Sequence, residues 1–321
     1  MDHQLCDFTQ VPELAAQVTR LSNLAFGEYE GAMEVGEGWT EWYLARPGTD
    51  RGLSQAALAD GKLVSQVIVC VQPLQLGGQT LRCGIIDSVA TDPEHRQQGL
   101  ARQLMERAHE AMQDAALDAA VLYTNPEDHP YGFYSRLGYR ERTRAMMLIG
   151  RRPGESGCGA EPVDAAEHAE GLRNLLNRYY VGHEGFSPLE ADLWRWHKLD
   201  APNPPTVVAE MTGSGPITTA TFATARLRTA TGERHVSVAY DIAADVMNAD
   251  QMHSLLASAP EEEIALLLDE RALELPMVND LGLKKAVAEV AMVLPFGSAA
   301  SRALEEHGGP WYMMVESVVG V

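Results

Sequence analysis

The 321-residue chain has little of what marks secreted, membrane-spanning or metal-binding proteins. Its four cysteines are scattered and form no Cys-x-x-Cys pair, so we expect reduced thiols and a cytoplasmic location. No apolar run reaches the 18 residues of a membrane helix, and the first residues, Met-Asp-His-Gln, lack the basic start of a signal peptide. No histidine and cysteine cluster has metal-ligand spacing, so no metal is expected.

Basic side chains are also scarce. Lysine and arginine number 25 against 45 aspartates and glutamates, which gives a formal net charge of −20 at pH 7. Nucleic acids and anionic membrane surfaces attract basic patches, so we expect neither as a partner. The acidic surplus suits a cationic small molecule, and it also serves plain solubility.

The segment from Val89 to Ala101 carries the clearest chemical signal. It follows a β-branched, apolar stretch and leads directly into a helical pattern with its apolar side chains on one face. Unpaired backbone N–H groups and the helix dipole at such a helix start favour an anionic phosphate. Gly99 lets a ligand approach the backbone closely, and Arg96 adds positive charge. The segment is therefore predicted to bind a phosphate group.

A second motif follows. Residues 121–125 predict a strand, and the run from Tyr131 to Tyr139 predicts a short helix ended by a glycine. Arg-x-x-Gly-x-Ala after Val-Ala-x-x-Pro-Glu, followed by Phe-Tyr-x-x-Leu-Gly-Tyr, resembles the two motifs of the GNAT acyl-CoA N-acetyltransferases. The resemblance covers about residues 50–150.

This resemblance implies an α/β (α+β) fold with mixed sheets, acetyl-CoA as co-substrate, and direct transfer of the acetyl group to an amine. It assigns Tyr134 as the acid for the departing thiolate, and a phenol is protonated at neutral pH. Asn125 ends the strand after which the coenzyme A arm passes, so a side-chain contact is expected. The other implied cofactor-binding residues are Val89, Ala90, Thr91, Arg96, Gln97, Gln98, Gly99, Leu100 and Ala101.

The proton acceptor for the amine is less defined. Asp87 lies where GNAT enzymes often carry an acidic side chain facing the acceptor, and strand alternation puts Ile85, Asp87 and Val89 on one face. Asp87 is therefore a candidate base, unless it pairs with a neighbouring arginine. Glu28 and Glu30 follow the first helix, in a loop that commonly lines the acceptor site in this family. They either bind a cationic group or solvate the loop.

The chain also resembles two copies of one unit. Residues 1–150 would form the acetyl-CoA-binding catalytic GNAT domain. Residues 151–160 are glycine-rich and suit a linker, and residues 161–321 repeat the order of helices and strands. Within the repeat, Ser187-Pro188 is expected to start a second helix.

The second copy is predicted to be degenerate. An offset of 144 residues places Gly138 on Gly282 and residues 121–124 on 265–268. The second copy has no Arg-x-x-Gly-x-Ala turn, and carboxylates at Asp241 and Asp245 stand where a pyrophosphate needs positive potential. We therefore assign catalysis to the first copy.

An active first copy before a degenerate second one resembles the enhanced intracellular survival type of acetyltransferase. That type adds a sterol-carrier-like domain whose C-terminal carboxylate is the base. This chain has no room for such a domain, so we expect its base elsewhere. Mycothiol synthase, the other tandem relative, has its active copy second.

The sequence thus predicts an acetyl-CoA-dependent N-acetyltransferase of a small primary amine, such as a polyamine or aminosugar. Acetylation of a protein N-terminus or lysine stays open, as does a non-catalytic acyl-CoA-binding scaffold. The sequence also leaves a homodimer open.

Overall fold

A computed structural model describes residues 3–27, 34–154, 159–229, 232–305 and 309–313. Six strands and four α-helices make up the described part of its first half. These elements are β1 (Gln4–Asp7), α1 (Leu14–Phe26), α2 (Glu37–Leu44), β2 (Gln55–Ala59), β3 (Lys62–Leu76), β4 (Gln79–Thr91), α3 (Leu100–Asp114), β5 (Ala119–Thr124), α4 (His129–Arg136) and β6 (Arg140–Arg151).

The second half repeats this order and adds one helix at its end. Its elements are β7 (Glu161–Pro162), α5 (Ala169–Tyr179), α6 (Ala191–Lys198), β8 (Thr206–Thr212), β9 (Gly215–Thr229), β10 (Gly232–Ala244), α7 (Ala249–Ala257), β11 (Glu263–Asp269), α8 (Leu275–Val278), β12 (Lys284–Pro295) and α9 (Ser298–Glu305). No helix in the described ranges combines the length and the apolar character needed to cross a membrane.

The predicted start of the second helix of this half, at Ser187, is wrong, since α6 begins at Ala191. Contacts with the first half hold the preceding residues outside the helix. The backbone N–H of Gln75 donates to the Phe186 carbonyl at 3.0 Å, and the Ser187 hydroxyl donates to Gln72 at 3.1 Å. Tertiary hydrogen bonds therefore override the local helix-start signal.

The described strands form one mixed sheet in the order β1-β2-β3-β4-β5-β12-β6-β11-β10-β9-β8-β7. β5 lies beside β12, the last strand of the second half, and β6 lies beside β11. The last strand of each half therefore lies between two strands of the other half: β12 between β5 and β6, and β6 between β12 and β11. Neighbours run antiparallel except for the parallel pairs β4–β5 and β10–β11. The predicted α/β class with a mixed sheet is confirmed.

The strand order is also internally symmetric. β3 and β9 begin at residues 62 and 215, and β4 and β10 begin at 79 and 232, so both pairs are 153 residues apart. β5 and β11 begin at 119 and 263, and β6 and β12 at 140 and 284, which are 144 residues apart. The second half is therefore nine residues shorter between its parallel strands, where α7 takes the place of the longer α3. The domain boundaries at residues 150 and 161 stay a prediction.

Two tryptophans at corresponding places join the halves. Trp42 in α2 and Trp196 in α6 stack with their ring centroids 4.5 Å apart. Each indole N–H donates to the other residue's carbonyl, at 2.9 and 2.7 Å. Both side chains are buried in a core cluster that includes residues of both halves. Stacking and satisfied N–H groups allow these two large polar aromatics to be buried.

Candidate active site

The two strands that precede the predicted motifs separate at their carboxyl ends. β4 pairs with β5 only from Cys83 to Ile85, although β4 continues to Thr91. Beyond that point Ser88 has a φ of 46°, and the register between β3 and β4 shifts. Such a bulge bends a strand and interrupts its pairing. It leaves an opening between β4 and β5.

Because of the bulge, the side chains of β4 do not alternate as predicted. Ile85 packs into the cluster that includes Cys83 and Val121, whereas Val89 packs on the opposite side of the sheet with Ile86, under α3. Ile85 and Val89 therefore do not share a face, because the left-handed residue at position 88 breaks the period of two.

A cavity of about 690 Å³ occupies the opening. Residues of β4 and β5, the end of α1 and the start of α4 line it. Its described lining includes no Lys, Arg or His side chain, and four carboxylates belong to it: Glu34, Asp87, Asp128 and Glu289. The volume lies in the range of sites for small molecules, and the carboxylates favour a cationic one.

The predicted phosphate-binding loop has two left-handed residues. The Asp92 carboxylate accepts the Glu94 N–H at 3.1 Å and starts a short 3₁₀ turn. Gln97 and Gly99 follow with φ angles of 62° and 77°. A Cβ on Gly99 would meet only the Gln103 side chain, at 3.7 Å, so the backbone conformation is what favours glycine.

Helix α3 begins directly after this loop. Its start has no side-chain cap and no acidic residue in the first turn. The first N–H groups of the helix therefore lack a side-chain acceptor, as a helix start that binds an anion requires. Arg96, Gln97, Gln98 and Gly99 form the exposed part of the loop, and Arg96 Nε also donates to the Thr91 carbonyl at 3.3 Å.

The other predicted loop residues face inward to different degrees. Val89 lines the cavity, and Ala101 is half-buried. Ala90 and Leu100 are core side chains, and the Thr91 hydroxyl is hydrogen-bonded to Ser65 at 2.8 Å. These last three residues therefore offer a ligand backbone groups rather than side chains.

The second motif reaches the same cavity. Tyr134 lies in α4, lines the cavity, and is only 8 % exposed between Phe133 and Tyr139. Gly138, at a φ of 94°, ends this helical segment as predicted. Asn125 also lines the cavity, and its side-chain oxygen accepts the Glu127 N–H at 2.9 Å.

Asp87 is held in place by two donors. The Tyr43 hydroxyl donates to Oδ2, and the Ser88 N–H donates to Oδ1 at 2.7 Å. Tyr43 in turn stacks on Trp39 with ring centroids 5.0 Å apart, and Trp39 lines the cavity. Burial, reinforced by the Asp87 charge, raises the pKa of Tyr43 well above its usual value. Tyr43 therefore stays a hydrogen-bond donor that fixes the carboxylate.

Glu289 was missed by the sequence analysis. It lies in β12, between β5 and β6, and brings a carboxylate from the second half into the cavity. Burial, reinforced by the Asp87 charge, raises the pKa of Glu289 to about 7. A single acidic residue within the otherwise apolar run from Ala286 to Pro295 was the available signal.

Two predicted acceptor-site residues cannot be placed. Glu28 and Glu30 lie outside the described residues, between the end of α1 and Glu34. In the described ranges, no group of three or more His, Cys, Asp or Glu side chains could hold a metal ion.

The second half has almost no cavity at the position that corresponds to the first-half cavity. Asp241 has a φ of 49° and stands 153 residues after Ser88, so β10 carries the same bulge as β4. Its carboxylate accepts hydrogen bonds from Lys198 at 2.6 Å and from the Tyr312 hydroxyl at 2.5 Å. With Trp311 beside it, only about 30 Å³ remains.

The counterpart of the phosphate loop is also closed to an anion. The Asn248 side chain caps α7 by accepting the Gln251 N–H at 2.9 Å. Asp245, predicted to oppose a pyrophosphate, pairs with Arg178 at 2.9 Å. The helix start that is uncapped in the first half therefore already has an acceptor in the second.

Comparisons with known proteins agree with this geometry. Residues 12–142 match the acetyltransferase (GNAT) domain family. The similarity to the GNAT domain thus lies in the first half of the chain, and the protein is an acyltransferase. No curated protein matches its sequence significantly.

Solved structures share the fold over nearly the whole chain. A conserved protein of unknown function from Enterococcus faecalis V583, described as a probable N-acyltransferase, has a TM-score of 0.66 at 16% identity, covering 92% of this chain and 73% of that one. Saccharomyces cerevisiae N-myristoyltransferase with bound myristoyl-CoA has a TM-score of 0.70 at 10% identity, with 92% and 79% covered. A GCN5-related N-acetyltransferase from Anabaena variabilis ATCC 29413 has a TM-score of 0.64 at 14% identity, with 94% and 74% covered.

Proposed function

We propose that the protein transfers the acetyl group of acetyl-CoA directly to a small primary amine. The observation that carries the proposal is the acidic cavity between β4 and β5. It is lined by Tyr134 and by Val89, and the chain continues from Val89 through the exposed loop to the uncapped start of α3. An amine that carries positive charge suits the four carboxylates of its lining.

The residues of the first half suit acetyl-CoA. The exposed loop at Arg96–Gly99 and the first N–H groups of α3 would hold the pyrophosphate. Backbone groups of β4 that β5 leaves unpaired, at Asp87 and Val89, would bind the pantetheine arm and the oxyanion. Asn125, whose side-chain oxygen is engaged, would offer its amide N–H groups.

Three steps make up the transfer. The acceptor enters as an ammonium ion and gives up one proton, because only the neutral nitrogen has a lone pair to attack the thioester carbonyl carbon. A C–N bond forms, and the C–S bond of the tetrahedral adduct then breaks. The Tyr134 hydroxyl gives its proton to the leaving thiolate, and the second proton lost by the nitrogen restores the phenol.

Direct transfer is favoured over an acyl-enzyme. No cysteine is among the described lining residues, and Cys6, Cys70 and Cys83 are buried elsewhere. Burial, reinforced by the Asp118 charge, raises the pKa of the Cys83 thiol to about 12, which keeps it protonated and unreactive.

For Asp87, the candidate base, we propose a different role. Both of its oxygens already accept hydrogen bonds, from Tyr43 and from the Ser88 backbone. Because these donors fix the position of the carboxylate, we assign Asp87 to binding the ammonium group of the acceptor.

The test is release of coenzyme A from acetyl-CoA across a panel of amines, polyamines, aminosugars and peptides, with product masses measured. We expect release with a small cationic amine and strongly reduced release in Tyr134→Phe. Release with peptides alone would instead identify a protein N-acetyltransferase. Binding of acetyl-CoA without release with any acceptor would contradict catalysis and leave a binding protein.

A further inference from the structure

The position of β12 beside β5 places a second-half residue in the lining of the cavity. β12 pairs antiparallel with β5, from Pro295 opposite Ala119 to Val290 opposite Thr124. Thr124 is the last residue of β5, so Glu289 lies next to the point where β5 ends and the cavity opens. The second half therefore forms one wall of the site.

The backbone on the other side of β12 is irregular at this residue. The register between β12 and β6 shifts between Val287 and Glu289, and Glu289 then pairs with Ala145. Bulges of this kind re-aim side chains beside active sites. The shift therefore interrupts the alternation of side chains along β12 directly beside Glu289.

The surroundings of Glu289 differ from those of Asp87. Glu289 is partly buried, and no described residue donates a hydrogen bond to its carboxylate. Asp87 has a donor on each oxygen. Asp87 is thus held by two protein donors, whereas Glu289 has oxygens available to a ligand.

We propose that Glu289 is the general base, the group that removes the proton from the acceptor ammonium. This inference rests on the proposed acetyl transfer. The proton moves from the ammonium nitrogen to a Glu289 oxygen, which leaves the nitrogen lone pair free to form the C–N bond. Glu289 then releases that proton to solvent, so each turnover yields one coenzyme A thiol and one net proton.

The charges around Glu289 make it suitable for this role. Ala145, opposite it on β6, carries no charge. The ionisable groups that line the cavity with it are acids and phenols: Glu34, Asp87, Tyr123, Asp128 and Tyr134. Negative neighbours and burial favour the protonated form, and a pKa of about 7 is near the optimum for a base that works at neutral pH.

The test is the pH dependence of kcat/KM for the best amine of the panel, in wild type and Glu289→Gln. We expect the wild-type value to rise with pH through about 7, as Glu289 loses its proton. In Glu289→Gln this ascending limb disappears, and the plateau falls by roughly 10²–10⁴-fold, the usual contribution of a general base. Affinity for acetyl-CoA stays close to the wild-type value.

Two further variants distinguish the effect of Glu289 from that of Asp87 and from that of removing any glutamate. Asp87→Asn keeps the limb but moves it to lower pH, because removing the Asp87 charge lowers the pKa of Glu289. Glu262→Gln, an exposed glutamate before β11, leaves the profile unchanged. Unfolding by urea checks that each variant is folded.

The outcomes distinguish this inference from the function on which it rests. An ascending limb retained in folded Glu289→Gln and lost in Asp87→Asn would overturn the assignment and make Asp87 the base. Acetyl-CoA binding without release by the wild type, with any amine, would instead overturn the proposed acetyl transfer.

Discussion

The two halves have the same arrangement of strands and bulges, but their side chains leave cavities of very different volume. Both contain a bulged fourth strand, with left-handed residues at Ser88 and Asp241, and both place a short helix and a left-handed glycine before the last strand. In the first half the opening beside the bulge holds about 690 Å³, and in the second about 30 Å³. The backbone bulge alone therefore does not make a site.

Three differences account for the contrast. The second half is nine residues shorter between its parallel strands, its helix start is capped by Asn248, and Asp241 is neutralised by Lys198. At the places where we propose ligand binding in the first half, the second half carries residues that contact other parts of the chain. Through Glu289, the second half still supplies a group to the first.

The largest effect is expected on stability, from the ion pair that occupies the position of the cavity in the second half. Lys198 and Asp241 form an ion pair with both side chains fully buried. Lys198→Met leaves the Asp241 charge buried without its cation, which should lower the free energy of unfolding by about 3–5 kcal/mol. Urea denaturation measures this loss, and adding Asp241→Asn, which removes the second charge, should recover part of it.

The control is the exposed pair of the same half. Arg178→Ala breaks the Arg178–Asp245 ion pair, whose side chains are 61% and 51% exposed. It should cost no more than about 1 kcal/mol. Equal, small losses for Lys198→Met and Arg178→Ala would contradict the view that the buried pair closes the second half.

The next effect concerns Tyr134, the tyrosine of the first-half cavity. Tyr134→Phe removes the proton donor for the thiolate and should lower kcat by about 10²-fold or more. Coenzyme A release measures it. Tyr179→Phe is the matched control, because the Tyr179 hydroxyl donates to Glu274 at the filled place in the second half. Similar rates for the two variants would exclude Tyr134 as the acid.

A smaller effect is expected at Gly99, in the phosphate loop. In Gly99→Ala, an alanine at a φ of 77° is strained by about 1–2 kcal/mol. We expect this strain to distort the loop and to weaken acetyl-CoA binding about tenfold. Calorimetric titration measures the affinity. Gly61→Ala introduces the same strain at a φ of 76° in the β2–β3 turn, and its affinity should equal that of the wild type. Equal weakening in both variants would show that the loop is not the binding site.

The smallest effect is expected at the cap of α7. Asn248→Ala removes the acceptor of the Gln251 N–H and should lower the free energy of unfolding by about 1 kcal/mol. Asn248→Asp keeps an acceptor and should preserve stability. Urea denaturation compares the three proteins. Weaker acetyl-CoA binding in Asn248→Ala would contradict the assignment of the cofactor to the first half.

Much of the fold could be predicted from local patterns. The strand predicted at residues 121–125 is β5 (Ala119–Thr124). The two motifs correctly placed Gly99 directly before α3 and Tyr134 within a short helix, α4, where it lines the cavity. These features depend on residues close together in the sequence. The offset of 144 residues also holds for the last two strands of each half.

Features that depend on pairing between distant segments were not predictable. The alternating, apolar pattern of β12 does not show whether its neighbour is β5 or another strand, and that choice alone brings Glu289 to the cavity. The bulge at Ser88 likewise reversed the face of Val89. The start of α6 was set by hydrogen bonds with β3 rather than by Pro188.

The most direct test of the contrast between the halves is a calorimetric titration of the wild-type chain with acetyl-CoA. We expect one binding site per chain, because in the described part of the chain only the first half combines an uncapped helix start with an open cavity. Two sites per chain, or no binding, would contradict this conclusion.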